Sequence, residues 1–353
     1  MVTKESIEPW YLLVNPTAGN GRALLDYPQI SRLLHDENIC CEPHFTEHKY
    51  HAVELTVKAV RDGYRKIIVL GGDGTLHEVI NGLYIQQEVD PREIMIGLLS
   101  VSSSGNWLKS YGFEGGRYIE MVRAIKAEET ILQDVGEVSY IESRYRQSRY
   151  MVGVGGTGFD AFVIKKFSHR SMKRKLNRWS YFWCILKSFF RYKSSGVKIY
   201  LDNQLIYNDL LFSASVGVSK FNGGGVQQLP KAIIDDGLLD MTLIRPLHFW
   251  HVLFRIGYFF DGNLYNIGHT EQWRGEKIRI ESTPEMWVEV DGELFGGTPL
   301  EFSIHPRAIT LVVNRDYIQQ QQEMQERERS QRLAQEANEE DLFAEVDEYD
   351  EEY

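Results

Sequence analysis

Residues 66–83 read KIIVLGGDGTLHEVINGL and join a strand pattern to a helix pattern through a glycine turn. The β-branched run at 67–69 predicts a buried strand, and apolar residues from Leu76 to Leu83 recur at the spacing of an amphipathic helix. Thr75 is the predicted cap of that helix. Glycines let a ligand approach the backbone, and the N–H groups at a helix N-terminus attract anions. The stretch therefore predicts a nucleotide phosphate site.

The composition is that of a globular protein, because 43% of the 353 residues are hydrophobic and 25% are charged. The length suits two domains, and three cysteines are too few for a disulfide framework. The first residues lack the apolar segment of a signal peptide, and the apolar stretch at 247–260 is too short to span a bilayer. We therefore expect a cytoplasmic protein that can associate peripherally with a membrane.

The net charge of −11 is concentrated near the C-terminus. Residues 318–353 contain 13 acidic residues and three arginines, so the rest of the chain is almost neutral. This composition predicts a short polar helix followed by a disordered acidic tail. The charge consequently says little about the substrate.

Strand and helix patterns alternate in the first third of the chain. Strand patterns near 10–14, 39–45, 66–70 and 94–99 are separated by helical segments, which predicts an α/β domain with a mostly parallel sheet. Loops at 15–22, 71–75 and 100–106 follow three of the strands, where ligands bind in such sheets. We place this domain at residues 1–132.

Short strand patterns with turn signals between them dominate after residue 132. They predict an antiparallel β-sandwich domain over 133–305, with helical inserts near 160–192 and 247–260. The last strand pattern, at 309–313, is expected to return to the first domain, which a segment at about 306–317 would complete. Residues 318–353 form the tail.

Two motifs, NPTAGNGRA at 15–23 and GGDGTLHEVINGL at 71–83, together resemble the diacylglycerol kinase catalytic-domain family, which includes sphingosine kinases and bacterial lipid kinases. Matching segments follow in order: GGG at 223–225, DDGLLD at 235–240, DGE at 291–293 and GGTP at 296–299. The resemblance implies ATP in the cleft between the domains. It also implies phosphate transfer to a lipid hydroxyl.

The resemblance assigns nucleotide-binding roles to residues in the strand-end loops and at the start of the helix after the glycine turn. They are Asn15, Gly19, Gly21, Arg22, Thr46, Gly71, Gly72, Gly74, Thr75, Glu78, Ser104, Gly105 and Asn106. For Glu78 the alternative is an ordinary helix-surface residue. For the glycine loop the alternative is a plain tight turn.

Phosphoryl transfer needs positioned phosphates, a metal and a group that takes the hydroxyl proton. Asp73 suits the metal network, directly or through water, or could help to remove the proton. By resemblance Glu293 is the base, although Asp-Gly at 291–292 is also a strong hairpin signal. The resemblance further implies a structural Mg²⁺ held by Asp236 and the carbonyl of Leu238, where a bare turn is the alternative. ATP and Mg²⁺ are the expected cofactors.

The loop at 101–107 departs from the family pattern. It reads VSSSGNW where the family has roughly Pro-x-Gly-Thr-Gly-Asn-Asp, so the aspartate after Asn106 is absent. A carboxylate expected near the metal is therefore missing. One alternative function is accordingly a catalytically impaired homologue that binds nucleotide or lipid.

Cationic and aromatic side chains are interleaved in the insert at 165–193, which suits a membrane surface with anionic lipids, although a solvated basic helix is the alternative. The stretch at 247–260 suits a lipid pocket or a buried core helix. No nucleic-acid motif accompanies the basic patch, so we expect no nucleic-acid partner. The family resemblance also allows a homodimer.

The sequence thus predicts an ATP-dependent lipid kinase, with the conversion of diacylglycerol to phosphatidate as the first candidate reaction. Sphingoid-base or ceramide kinase activity is one alternative. An enzyme similar to NAD kinase is another, since NAD kinases also use a Gly-Gly-Asp-Gly loop.

Overall fold

The computed structural model describes residues 8–101, 106–140, 147–171, 187–222, 226–247 and 268–320, with Glu323, Arg327 and Ser330. The stretch at 66–83 forms strand β3 (Lys66–Gly71) and helix α3 (Asp73–Ile85). All but the first residue of β3 are buried, as the β-branched run predicts.

The first domain is an α/β unit built on a parallel sheet. Its other strands are β1 (Trp10–Val14), β2 (Cys41–Phe45) and β4 (Met95–Ser100). Its other helices are α1 (Ala18–Asp36), α2 (His51–Arg61), α4 (Asn106–Ser110) and α5 (Tyr118–Ala127), with a 3₁₀ turn at Pro91–Glu93. The strand order is β2-β1-β3-β4, and all three pairings are parallel. After β1 the chain forms β2 on one side of β1, and it then crosses over to form β3 on the other side of β1. The connections that follow β1 and β3 therefore diverge, which leaves a crevice beyond the carboxyl ends of these two strands.

The second domain consists almost entirely of strands. In chain order they are β5 (Thr130–Tyr140), β6 (Ser148–Met151), β7 (Val154–Gly158), β8 (Ser195–Leu201), β9 (Gln204–Leu211), β10 (Ser213–Gly217), β11 (Phe221–Asn222), β12 (Val226–Gln227), β13 (Leu239–Ile244), β14 (Thr270–Gly275), β15 (Lys277–Thr283), β16 (Trp287–Val290), β17 (Glu293–Gly297) and β18 (Leu300–Val312). Helix α6 (Phe159–Ser171) follows β7. Six of the strands form an antiparallel sheet in the order β14-β13-β10-β7-β16-β17.

A ten-stranded sheet runs through both domains, because its order continues from β4 to β18, β15, β8 and β9. Side chains of this sheet, such as Val197 and Ile199, share one buried cluster with Val216, Met241 and Val288 of the six-stranded sheet. Two sheets that bury one apolar layer between them form a sandwich. The predicted fold class, an α/β domain followed by an antiparallel β-sandwich, is therefore confirmed.

Strand β18 belongs to both domains. It pairs antiparallel with β5 and β15, and its end pairs parallel with β4 through Thr310–Met95 and Leu311–Ile96. The expected boundary at 132/133 falls inside β5, which pairs with β18 along most of its length. The two domains thus share a continuous hydrogen-bonded ladder beside the crevice.

Several expectations concern residues outside the described part of the chain. They include Ser104, Gly105, the glycines at 223–225, the centre of the basic insert at 172–186, the stretch at 248–267 and most of the tail. No helix in the described ranges is both long enough and apolar enough to cross a bilayer.

Candidate functional site

A cavity of about 520 Å³ lies where the loops after β1, β2 and β3 meet the start of β17. It is lined by Asn15, Thr17, Ala18, Gly19, Thr46, Glu47, His48, Lys49, Gly72, Asp73, Gly74, Thr75, Glu78 and Glu293. Most of the residues with a predicted nucleotide or catalytic role are thus brought together. Gly21, Arg22, Gly71, Asp236 and Leu238 do not line it.

The glycine turn places the beginning of α3 at the cavity. Gly72 is the cap residue and is extended, with φ −127° and ψ −171°, and no side chain caps the helix. A Cβ atom at Gly72 or Gly74 would meet nothing within 4 Å, so this helix N-terminus faces open space. Such a terminus attracts a phosphate through its N–H groups and its dipole.

Thr75 does not cap the helix, so that prediction is wrong. The helix begins two residues earlier, at Asp73, and the hydroxyl of Thr75 accepts a hydrogen bond of 2.9 Å from Nδ2 of Asn15. The Oδ1 atom of Asn15 accepts bonds from the backbone and the hydroxyl of Thr17. Asn15 therefore joins the loop after β1 to the glycine turn after β3. Gly71 is needed for this packing, since its Cβ would lie 2.6 Å from Cβ of Thr75.

The loop after β1 continues into the first residues of α1, where three residues are left-handed rather than helical. Gly19, Asn20 and Gly21 have φ values of 60°, 59° and 86°, a conformation that glycine adopts without strain. A Cβ at Gly19 would lie 2.9 Å from Cγ2 of Val101, which starts the unusual loop at 101–107. Arg22 instead pairs with Asp26 at 3.0 Å. Its predicted contact with nucleotide stays a prediction, as does the role of Asn106, the first residue of α4.

Glu78 fixes the loop that follows β2. Its two carboxylate oxygens accept hydrogen bonds from the backbone N–H groups of Tyr50, at 3.1 Å, and Ala52, at 3.2 Å. Tyr50 precedes α2 in a left-handed conformation, and no side chain of its own caps that helix. Burial raises the pKa of Glu78, and the two N–H groups oppose that rise. Glu78 is thus a cavity residue that also caps α2, which differs from the helix-surface alternative.

Glu293 reaches the cavity from the second domain. Its Oε2 atom lies 3.0 Å from Nζ of Lys49 and accepts a hydrogen bond of 3.2 Å from the hydroxyl of Tyr50. Both partners belong to the loop after β2. The first residue of β17 therefore closes one side of a cavity whose other walls come from the first domain.

The turn at 291–293 is attached to α3 by a buried pair. Oδ2 of Asp291 lies 2.9 Å from Nδ1 of His77, and both side chains are almost completely buried. Oδ1 of Asp291 accepts a hydrogen bond of 3.1 Å from the N–H of Gly153. One turn later on α3, Asn81 exchanges two hydrogen bonds of 3.0 Å with the backbone of Tyr150. Helix α3 therefore carries the glycine turn and also fixes the turn that bears Glu293.

His77 has no role predicted from the sequence. The only signal was its spacing of four residues from Asn81, which puts two polar side chains on one face of a helix. That face is buried against the second domain.

A buried carboxylate, Glu289, supports the same turn from the sandwich side. Its Oε2 accepts a hydrogen bond of 2.8 Å from the N–H of Gly292, and its Oε1 accepts one of 3.2 Å from Nδ2 of Asn222. Burial, with smaller contributions from the carboxylates of Asp160 and Asp291, raises the pKa of Glu289 to about 8, although the hydrogen bonds from Gly292 and Asn222 oppose this rise. Desolvation also raises the pKa of the half-buried Asp160. Glu289 could not be identified from the sequence, because nothing in the local sequence pattern distinguishes it from other strand residues.

The predicted structural metal site lies elsewhere in the sandwich. The guanidinium of Arg274 contacts Asp236, and its Nε lies 3.1 Å from Oδ1 of Asp240. Oδ1 of Asp236 also accepts the N–H of Leu238 at 3.2 Å. Burial raises the pKa of Asp240 to about 6 despite this cation. Arg274 thus supplies a positive charge beside Asp236 and Asp240. The assignment of Asp236 and the carbonyl of Leu238 as Mg²⁺ ligands stays a prediction.

One group of three possible metal ligands occurs among the described residues, formed by His48, His51 and Glu54. Nδ1 of His51 accepts a hydrogen bond of 2.9 Å from the N–H of Glu47. A neutral imidazole that accepts at Nδ1 carries its proton on Nε2, so neither ring nitrogen of His51 offers a lone pair. The group does not fit a metal site.

Comparisons with known proteins cover both domains. Residues 9–138 match the diacylglycerol kinase catalytic domain, and residues 153–313 match the YegS C-terminal NAD kinase beta sandwich-like domain. The putative lipid kinase YtlR of Bacillus subtilis is 23% identical over 86% of this chain and 98% of that protein. The diacylglycerol kinase of the same organism is 21% identical over 88% of this chain and 97% of that protein.

A solved structure has the same fold. The crystal structure of a putative diacylglycerol kinase from Bacillus anthracis covers 89% of this chain and 98% of its own, with a TM-score of 0.69 and 20% identity. At this identity the likeness concerns the fold alone.

Proposed function

Since this chain belongs to the diacylglycerol kinase catalytic-domain family, we propose that it transfers the γ-phosphate of ATP to the hydroxyl of a lipid, with diacylglycerol as the first candidate acceptor. The family is one of nucleotide-using phosphotransferases. One observation carries the proposal: a helix N-terminus behind a glycine turn and a carboxylate from the second domain face the same cavity. The helix N-terminus suits the binding of phosphates, and the carboxylate suits the removal of a proton from the acceptor hydroxyl.

The first domain would bind the nucleotide. The start of α3 would receive the phosphates, and Asn15 would keep the loop after β1 in register with it. Asp73 lines the cavity at the first residue of the helix, where its carboxylate would hold the Mg²⁺ of MgATP directly or through water. The ion would neutralise phosphate charge during transfer.

The second domain would supply the proton acceptor. As the lipid oxygen forms its bond to the γ-phosphorus, the bond from that phosphorus to the β,γ-bridging oxygen breaks, and ADP leaves with the electron pair. The hydroxyl proton would pass to Glu293 and from there to solvent. A positioned general base of this kind contributes about 10²–10⁴-fold to the rate.

Exposed aromatic and cationic side chains support a lipid acceptor. Phe190 is 66% exposed and Trp287 is 42% exposed, and Nζ of Lys165 lies 3.3 Å from the ring centre of Trp287. Lys187, Arg191 and Lys193 are exposed beside Phe190. The insert at 165–193 contains ten lysines and arginines and no acidic residue. These exposed side chains and the basic composition of the insert suit peripheral contact with anionic lipids.

The proposal is tested by transfer from γ-labelled MgATP to separate samples of diacylglycerol, sphingosine, ceramide and NAD. We expect labelled phosphatidate from the wild-type protein and none from the Asp73→Ala variant. Label on sphingosine or ceramide alone would change the acceptor within the same reaction class. Label on NAD alone would replace the proposal with an NAD kinase.

A binding protein without catalysis is the second candidate, and the missing aspartate after Asn106 is the observation that favours it. It predicts ATP binding with no labelled product. Insertion of Asp between Asn106 and Trp107 would then produce transfer. If the wild-type protein is active and the insertion changes nothing, this candidate is rejected.

A further inference from the structure

The cavity has an unusual charge balance for a site that would receive a polyanion. Four carboxylates line it, those of Glu47, Asp73, Glu78 and Glu293. Lys49 is the single lysine or arginine among the described lining residues. Among the described residues, the groups that can attract phosphate are therefore the helix terminus and this one side chain, together with the Mg²⁺ of MgATP.

Lys49 is paired with the residue that the proposed reaction uses as its base. Its Nζ lies 3.0 Å from Oε2 of Glu293, and its side chain is 62% exposed. Partial burial lowers the pKa of Lys49, but its bonds to Tyr50 and Glu293 raise it overall, so the ammonium is charged. An exposed ion pair of this kind is weak and exchanges readily.

The backbone beside Lys49 is fixed while its side chain can move. Glu78 accepts the N–H groups of Tyr50 and Ala52 and thereby holds the loop after β2. The flexible stem of Lys49 starts from this anchored loop. The ammonium can therefore exchange one anion for another within the cavity without a change in the backbone.

We propose that Lys49 responds to the nucleotide: without ATP it holds the carboxylate of Glu293, and with ATP it moves to the phosphates and releases that carboxylate. This inference rests on the proposed nucleotide site. A carboxylate that is paired with an ammonium is a poor acceptor for a hydroxyl proton. ATP binding would therefore increase the ability of Glu293 to accept the proton of the lipid hydroxyl. Tyr50, which donates its hydroxyl to the same oxygen at 3.2 Å, keeps Glu293 in place after Lys49 has left.

The test is a double-mutant cycle on MgATP binding without lipid, with Lys49→Met, Glu293→Gln and the double variant. We expect Lys49→Met to weaken ATP binding about tenfold, which is the effect of one charge-assisted hydrogen bond. Glu293→Gln should strengthen it, because the pair no longer has to be broken. If the two side chains affect ATP only through long-range charge, the effects of the two substitutions on the binding free energy add. If the ion pair breaks when ATP binds, the two effects are not additive. We expect a departure from additivity of about two- to fivefold.

Three controls separate the exchange from general effects. Lys49→Arg should restore most of the ATP affinity, and AMP, which lacks the β- and γ-phosphates, should bind the wild-type and Lys49→Met proteins equally. Glu47→Gln removes another lining carboxylate and should be additive with Lys49→Met.

An additive cycle for Lys49 and Glu293, or unchanged ATP binding by Lys49→Met, would overturn the exchange while leaving the kinase proposal intact. If ATP does not bind the wild-type protein at all, the proposed function fails together with this inference.

Discussion

The glycine turn before α3 and the turn at 291–293 face the same cavity, but they are held in different ways. The glycine turn is built from adjacent residues, and its main outside contact is the bond from Asn15 to Thr75. The second turn depends on His77, Gly153 and Tyr50, which lie 214, 138 and 243 positions away from their partners in it. The proposed phosphate-binding turn is thus encoded locally, whereas the geometry of the proposed base depends on the assembled tertiary structure.

We expect the buried pair of His77 and Asp291 to contribute more to the free energy of unfolding than the contacts within the glycine turn. Removal of one partner from a buried pair costs about 3–5 kcal/mol, because the other polar group stays buried without compensation. We therefore expect His77→Ala to lower the free energy of unfolding by that amount in urea titrations. His35→Ala is the matched control, since His35 pairs with Asp36 but its side chain is 90% exposed. Similar losses in the two variants would contradict the comparison.

Glu289 makes the second turn sensitive to pH. The folded protein raises the pKa of this carboxyl from 4.5 to about 8, so it retains a proton that the unfolded chain has already lost in this range. The folded state then binds more protons, and stability falls as the pH rises from about 4.5 to 8. Glu289→Gln removes this fall.

We expect Glu289→Gln to match the wild-type protein near pH 4 and to be more stable at pH 8 by up to about 4 kcal/mol. Thermal unfolding across this pH range measures the difference. The pKa of Asp160 is also raised, so this carboxyl lowers the stability of the wild-type protein and of Glu289→Gln alike as the pH rises. The exposed Glu285→Gln is the control and should leave the pH dependence unchanged. A Glu289→Gln curve parallel to that of the wild type would contradict the role of this carboxyl.

The glycine turn offers a matched pair of smaller effects. Gly71→Ala would place its Cβ 2.6 Å from Thr75, and overpacking of this kind costs about 1–3 kcal/mol. The Cβ atom of Gly74→Ala would meet nothing within 4 Å, so the free energy of unfolding of this variant should stay within about 0.5 kcal/mol of the wild-type value. Its methyl group would occupy space at the helix terminus, and ATP binding should therefore weaken. Equal stability of the two variants would show that the turn is not packed as described.

The same contrast explains what the sequence could predict. The strand, the glycine turn and the helix at 66–83 follow from local rules, and so do the alternating elements of the first domain. The Thr75 cap was wrong because the helix already begins at Asp73, and the hydroxyl of Thr75 instead accepts a hydrogen bond from Asn15, 60 positions away. The burial of His77 and Glu289 could not be predicted, since it depends on which face of α3 and which side of β16 meet the other parts of the fold.

The central claim is that the first domain binds the nucleotide while the second domain supplies the reacting carboxylate. The most direct test compares ATP binding and phosphate transfer to the lipid acceptor in Glu293→Gln. The account predicts that the transfer rate falls by about 10²–10⁴-fold while MgATP binds at least as tightly as in the wild-type protein. Transfer at the wild-type rate, or a loss of ATP binding that accounts for the whole defect, would contradict it.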